Sequence, residues 1–367
     1  MNNLYKMGGK RYFAAANTKD GFISYFDKIF SENECERLYI LKGGPGVGKS
    51  TFMKALGNLL EEKGYETEYF HCSSDPESLD GIIIKDKRIA VIDGTSPHAV
   101  EPSLAGAREI IVDLGKAWDT DMLFDKKAEI ERLSKIKKQH YKDCYTFLYS
   151  KSVMDSLVYN LIFPYILFDK LDKSAMRMSK SLFARIKTKE KGNVSIRITN
   201  AVSALGRIRL STFEDEAETC VFLKEPFLQS RLAFHFLRAV YEYAKSQNAD
   251  VTASFNPESK GEIDALYFPQ IKTSVSLYDE KLVSDCDRIM KKCKIVNCAR
   301  FLDLKALRPL TPLRKFYCKL SENMGKQALE SLEKAGKVHM EIEKIYRPCT
   351  DYGTVEKISD EIFKKIL

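Results

Sequence analysis

The chain has 367 residues, 44% of them hydrophobic and 30% charged, with 21 Phe and 18 Tyr. This apolar stock rules out global disorder, and the length exceeds one ordinary core, so two domains of roughly 150 residues or more are expected. The 59 Lys+Arg against 51 Asp+Glu leave +8, which permits an anionic partner without requiring one. No apolar run reaches the ~18 residues of a spanning helix; the best, Val158 to Phe168, is broken by Asn160 and Pro164. The first residues carry no apolar signal-peptide core, and nine Cys without a CxxC pair read as reduced thiols. A cytoplasmic protein without a membrane span is the expectation.

In chain order, Leu38-Tyr39-Ile40-Leu41 reads as a short buried strand, and Phe52, Ala55, Leu56, Leu59 and Leu60 recur at helical spacing up to Gly64. Between them, Gly43 to Thr51 satisfies G-x-x-x-x-G-K-[ST], the phosphate-binding loop. A strand feeding a glycine-rich turn into a helix aims backbone N–H groups and the positive helix end at one point. Glycines allow positive φ and close approach of the phosphates. The set expected to hold the nucleotide is therefore Gly43, Gly44, Gly46, Val47, Gly48, Lys49, Ser50 and Thr51. Lys49 is placed to reach the β- and γ-phosphates, and the Ser50 hydroxyl to ligate Mg²⁺.

A second strand, Glu66 to Phe70, leads into His71-Cys72-Ser73-Ser74-Asp75-Pro76-Glu77-Ser78, and a third, from Arg88, ends at Asp93. Asp93 is the second residue expected to hold Mg²⁺, directly or through water. Residue 94 is Gly, so the Asp-Glu pair of motor-type ATPases is absent and a water-activating carboxylate must come from elsewhere. Asp75 and His98 lie where such folds put function, to orient a water or take a proton. The alternative is that Asp75-Pro76 and Ser96-Pro97 are capping turns. Zinc held by His71, Cys72 and His98 lacks standard ligand spacing. No N-K-x-D base-reading motif follows, so ATP is favoured over GTP.

The chain also repeats. Leu41-Lys42 recurs as Leu223-Lys224, Asp75-Pro76-Glu77-Ser78 as Asn256-Pro257-Glu258-Ser259, and Ile111-Val112-Asp113 as Ile295-Val296-Asn297. Ala16, Gly21 and Ile23 line up with Ala201, Gly206 and Ile208. The expected architecture is α/β: a P-loop NTPase-type, mostly parallel sheet with helical insertions, present as two tandem pseudo-repeats. Residues 1–190 form the active domain, with a helical insertion at about 120–190, and 191–367 a degenerate copy with C-terminal helices. Opposite Gly43 to Ser50 stands Glu225-Pro226-Phe227-Leu228-Gln229-Ser230-Arg231-Leu232, which has no glycine; Arg231 falls opposite Lys49 and Leu232 opposite Ser50.

Gly43 to Thr51, His71-Cys72 with Asp75 to Asp80, and Ile92 to His98 together resemble an uncharacterised family of bacterial tandem P-loop ATP-binding proteins. The resemblance covers nearly the whole chain and implies ATP binding and ATPase activity, with no established substrate. Its second copy usually keeps a glycine-rich loop, which is lost here. Three functions follow. One is a Mg²⁺-dependent ATPase with a regulatory or structural second half. Another is a nucleotide-kinase-like phosphotransferase acting on a small acceptor, with Asp75, Asp80 or His98 as base. The last is an ATP-gated binder of nucleic acid or an anionic surface. That last reading rests on residues 165–210, which hold eleven Lys+Arg against three acids; a solvated helix-and-linker surface is the alternative.

Overall fold

Short apolar runs alternating with amphipathic stretches build two six-stranded sheets in the computed structural model, which describes residues 8–97, 99–184, 186, 190–258, 261–288 and 291–367. The first part of the chain forms β1 (Lys10–Phe13), the hairpin β2 (Ala15–Thr18) and β3 (Gly21–Ser24), α1 (Phe26–Ile29), β4 (Arg37–Lys42) and α2 (Lys49–Glu62). β5 (Thr67–His71), β6 (Leu79–Ile84), β7 (Ile89–Asp93) and β8 (Glu109–Asp113) follow. The sheet order is β1-β5-β6-β7-β4-β8. Leu38 to Leu41 of β4 and Ala90 to Ile92 of β7 are buried, as the continuous apolar runs of interior parallel strands require.

Strands β1 and β5 are parallel, as are β7, β4 and β8, but β6 runs antiparallel to both β5 and β7. The α/β expectation holds, and the sheet is mixed. Connection length explains the reversal. Only Lys85 to Arg88 separate β6 from β7, whereas a parallel crossover takes a dozen residues or more. Arg88 closes that turn at φ +51°.

The chain continues through α3 (Thr120–Asp125), α4 (Lys127–Ile162), α5 (Phe168–Phe183), β9 (Val194–Ile196), the hairpin β10 (Asn200–Ser203) and β11 (Gly206–Arg209), and α6 (Thr212–Glu216). Next come β12 (Thr219–Lys224), α7 (Leu232–Ser246), β13 (Val251–Phe255), β14 (Ile263–Phe268), β15 (Thr273–Leu277), α8 (Glu280–Arg288) and β16 (Lys292–Asn297). Helices α9 (Leu304–Leu307), α10 (Thr311–Tyr346) and α11 (Tyr352–Ile366) end it. The second sheet, β9-β13-β14-β15-β12-β16, has the strand order and pairing senses of the first, with β14 the reversed strand.

The two compact units are not cut from the chain in one place. One comprises residues 1–145, 201–208 and 328–367; the other comprises 146–200 and 209–327. The sequence reading instead divides the chain once, near residue 190, and leaves each helical stretch with the sheet before it. In the structure, α11, which follows the second sheet, belongs to the unit of the first. Val355, Ile362 and Ile366 pack there with Phe52, Leu56 and Leu60 of α2. Helix α5, which follows the first sheet, belongs to the other unit, where Leu171, Ala175 and Phe183 pack with Phe236, Leu237 and Val240 of α7. The helices between, α4 and α10, each run 36 residues, about 54 Å at 1.5 Å per residue.

The exchange is testable by stability. Ile362, 6% exposed among the apolar side chains of α2 and its sheet, should cost about 2–5 kcal/mol when replaced by Ala, read by urea unfolding. A change below about 0.5 kcal/mol, the ordinary surface value, would refute the packing of α11 on this unit.

Candidate functional site

The loop between β4 and α2 folds as its glycines dictate. Gly46 and Gly48 take φ of +74° and +100°, and Gly48 is the residue immediately before the helix. Only glycine enters that region at no steric cost. A Cβ on Gly44 would lie 3.0 Å from the ring of Trp118 and 3.2 Å from that of Tyr346, so a larger residue would press on both rings. Val47 is buried in the core, and Thr51 is exposed.

Lys49 opens α2 and turns back over the loop. Its Nζ donates to the carbonyls of Gly43 at 2.6 Å and Gly44 at 3.0 Å and stands 3.6 Å from Asp93 Oδ2. Asp93 is delivered by register, because β7 pairs with β4 so that Asp93 sits beside Leu41, one strand over from the loop. Its Oδ1 accepts from the backbone N–H of Thr95 at 2.9 Å and the Thr95 hydroxyl at 2.6 Å. Ser50 Oγ accepts from Leu79 N at 3.0 Å, which ties the start of α2 to the entry of β6. The fold thus brings Gly43 to Ser50 and Asp93 together. It also explains Gly94: a Cβ there would meet Ile40 Cγ2 at 2.2 Å, so an Asp-Glu pair cannot be built at 93–94.

Asp75 is exposed and accepts from the Ser78 hydroxyl at 2.6 Å and from Glu77 N at 3.3 Å, the geometry of a capping turn. His71 Nδ1 contacts the Pro76 carbonyl at 2.7 Å, and burial pulls its pKa down to about 4, so it stays neutral. Asp80 is buried on β6. His98 lies outside the described residues. Among the described residues no group of three or more His, Cys, Asp or Glu forms a metal-binding cluster.

The sequence reading missed the residues that cover the loop, which come from the end of α10 and the turn beyond it. A Cβ on Gly46 would lie 3.4 Å from Arg347 Cγ and 3.5 Å from the Glu343 carbonyl oxygen. Tyr352 Oη donates to the Gly46 carbonyl at 2.9 Å, and Trp118 and Tyr346 pack together with centroids 5.8 Å apart. Arg347 Nη2 donates to Glu343 Oε2 at 3.0 Å, and His339 Nε2 is 3.6 Å from Glu343 Oε1. His339 Nδ1 is 3.4 Å from Lys137 Nζ of α4. Burial, then the Lys137 charge, lower the His339 pKa, while Glu343 and Asp75 oppose them; Lys49 is also within electrostatic reach. Burial lowers Lys137 too. The signal in the sequence was the four-residue spacing of His339, Glu343 and Arg347 beside the apolar row of α10.

In the other unit the corresponding loop lies between β12 and α7. Arg231 is the residue before the helix, with φ +55°, and so takes the place of Gly48. This corrects the expectation that Arg231 stands opposite Lys49: Leu232 does, and Ala233 stands opposite Ser50. Arg231 stacks on the Tyr159 ring, 5.1 Å from its centroid, and lies 3.7 Å from Glu262. The helix N-terminus is occupied from within the chain. Glu225 Oε1 accepts from Ala233 N at 2.5 Å, and Oε2 accepts from the Ser230 hydroxyl. Leu277 pairs with Leu223 in β12 as Asp93 pairs with Leu41, so an apolar side chain replaces the carboxylate.

Among the described residues of the basic segment, not every cation is exposed. Arg197 is buried and Arg209 donates to the Leu277 carbonyl and to Glu214; Lys170, Lys173, Arg177 and Lys180 are exposed on α5. Arg185, Lys187 and Lys189 lie outside the described residues. Among the described residues, no helix is long and apolar enough to cross a membrane. Compared with known proteins, the chain matches no family model, no curated protein and no solved structure.

Burial pushes the Glu225 carboxyl up to about 8 against the opposing amide of Ala233. Its unfolded value is about 4.3, so the folded state holds the proton more tightly. The stabilisation is complete below about pH 4.3 and is lost as pH rises toward the folded value. The melting temperature of the wild type should therefore fall between pH 5 and 8 more steeply than that of Glu225→Gln. Parallel curves would contradict this.

Proposed function

We propose that this chain is an ATP-binding P-loop protein with Mg²⁺-dependent ATPase activity, built as a tandem duplication whose second half does not bind nucleotide. The single observation that carries the reading is the β4–loop–α2 arrangement: left-handed Gly46 and Gly48, and Lys49 poised 3.6 Å from Asp93. Glycines at left-handed Gly46 and Gly48 leave room for phosphates to approach the backbone, next to the positive end of a helix of 14 residues. Duplication is supported by the shared strand order and by α4 and α10, each 36 residues and offset by 184 (127 to 311). The caps agree: Asp113 accepts from Gly115 N, and Asn297, at the same offset, from Ala299 N.

The residues present fit the groups they would hold. Lys49 would exchange the carbonyls of Gly43 and Gly44 for the β- and γ-phosphate oxygens, which a cation prefers to neutral acceptors. Ser50 Oγ and the Asp93 carboxylate are the hard oxygen donors for Mg²⁺, which neutralises developing phosphate charge when bound. In the hydrolysis, water oxygen forms a bond to the γ-phosphorus as the bond to the β–γ bridging oxygen breaks. That electron pair leaves with ADP, and the water proton passes to phosphate or solvent. Asp75 accepts from Ser78 and Glu77 in its turn, and Glu343, Arg347 and Tyr352 are polar side chains beside the loop. In the second half, the Glu225 carboxyl fills the helix N-terminus and Leu277 stands where Asp93 stands in the first.

Lys49→Ala should abolish ATP binding while Arg231→Ala leaves it within about twofold of wild type, measured by titration calorimetry. Equal loss in both would refute a single site in the first half. Asp93→Asn should reduce Mg²⁺-dependent turnover far more than Mg²⁺-free nucleotide binding. Unchanged turnover would remove Asp93 from the site.

A further inference from the structure

The loop with the glycines has no acidic residue after Asp93 and no arginine of its own, yet two charged side chains lie on it. Arg347 follows the last residue of α10, and its Cγ sits 3.4 Å from where a Gly46 Cβ would be. The turn that carries it is fixed at both ends. Tyr346 packs with Trp118 against Gly44, and Tyr352 Oη donates to the Gly46 carbonyl. The side chain itself is 64% exposed and held by a single carboxylate, Glu343. An exposed pair of this kind is weak, so a phosphate, which offers a guanidinium a two-pronged partner of higher charge, competes for it easily.

An ordinary helix-surface ion pair is the alternative, and the other unit argues against it. At the positions 184 residues earlier, Glu343, Arg347 and Tyr352 correspond to Tyr159, Phe163 and Phe168. There Tyr159 packs on Phe163, Phe163 on Phe168, and both Tyr159 and Phe168 on His235, in edge-on, tilted or stacked pairs at centroid distances of 5.4 to 6.1 Å. Tyr159 also donates to or accepts from His235 Nε2 at 2.7 Å. The charged pair thus accompanies the glycine loop, and aromatic packing accompanies the loop filled by Glu225. Surface charge for solubility has no reason to follow that division.

We propose that Arg347 is the charge-stabilising catalytic residue of the Gly43–Ser50 site, supplied within the chain by the end of α10. Glu343 is a positioning residue that parks the guanidinium over the loop until the triphosphate arrives. This rests on the ATPase reading above. Arg347 moves no proton and forms no bond. It shifts from Glu343 to the oxygens of the γ-phosphoryl group as the bond to the β–γ bridging oxygen breaks and charge spreads over those oxygens.

The test is Arg347→Ala, with Arg347→Lys as a second variant that keeps charge and stem but not the fork. ADP affinity and affinity for ADP with Mg²⁺ and aluminium fluoride, a mimic of the transferring phosphoryl group, are compared with turnover. Arg347→Ala should lower kcat by about 10³-fold, leave the Kd for ADP within about threefold, and lose the extra affinity conferred by aluminium fluoride. Lys should restore only part of either loss. Undiminished kcat and aluminium fluoride response in Arg347→Ala would overturn the assignment, as would an equal loss of ADP binding. If the wild-type chain binds no ATP, the underlying reading fails and this inference with it.

Discussion

The free N–H groups of a helix N-terminus need acceptors, and this one demand is met in two different ways along the chain. Where β4 turns into α2, Gly46 and Gly48 hold the backbone in the left-handed region and keep side chains away from it. Where β12 turns into α7, the chain keeps the same left-handed residue before the helix, now Arg231, and brings a carboxyl group of its own, Glu225, to accept from Ala233 N. At the one position before the helix an arginine sustains the left-handed conformation, which glycine takes at no steric cost. Glycine is what leaves the turn open. The rest of the difference between the halves, Asp93 against Leu277 and Arg347 against Phe163, follows the same line.

The helix exchange gives that site its cover. Helix α11 and the last part of α10 fold into the unit of the first sheet although the second sheet lies between them in sequence. Val355, Ile362 and Ile366 anchor α11 on α2, which fixes the turn bearing Arg347 and Tyr352 to the glycine loop. A hydrophobic packing choice made by α11 thus decides which charges face Lys49. The loop is completed by residues some 300 positions downstream of it, as the Tyr352 bond to Gly46 records.

Much of this was legible in the sequence because it rests on local chemistry. The strand Leu38 to Leu41, the glycine spacing and the helix beyond it were each set by residues within a few positions, and Asp93 by the end of an apolar run. The α/β class followed from these. The reversed β6 was not foreseen because its evidence is a short connection, not a residue pattern. Arg231 was paired one residue out of place: alignment by charge put it opposite Lys49, whereas the turn geometry puts it opposite Gly48. The charged row of α10 was hidden because the sequence shows which face of a long helix is apolar, not which sheet will bury it. Asp75 reads from sequence as either a base or a capping residue, and in the structure it accepts from Ser78 and Glu77.

The central claim is that one half of a duplicated chain keeps an open anion site and the other fills its own. The most direct test is the number of ATP molecules bound per chain at saturation, counted by native mass spectrometry. The account predicts one for the wild type, none for Lys49→Ala and one for Glu225→Gln, because the second loop also lacks its metal carboxylate. Two per wild-type chain, or one retained in Lys49→Ala, would contradict it.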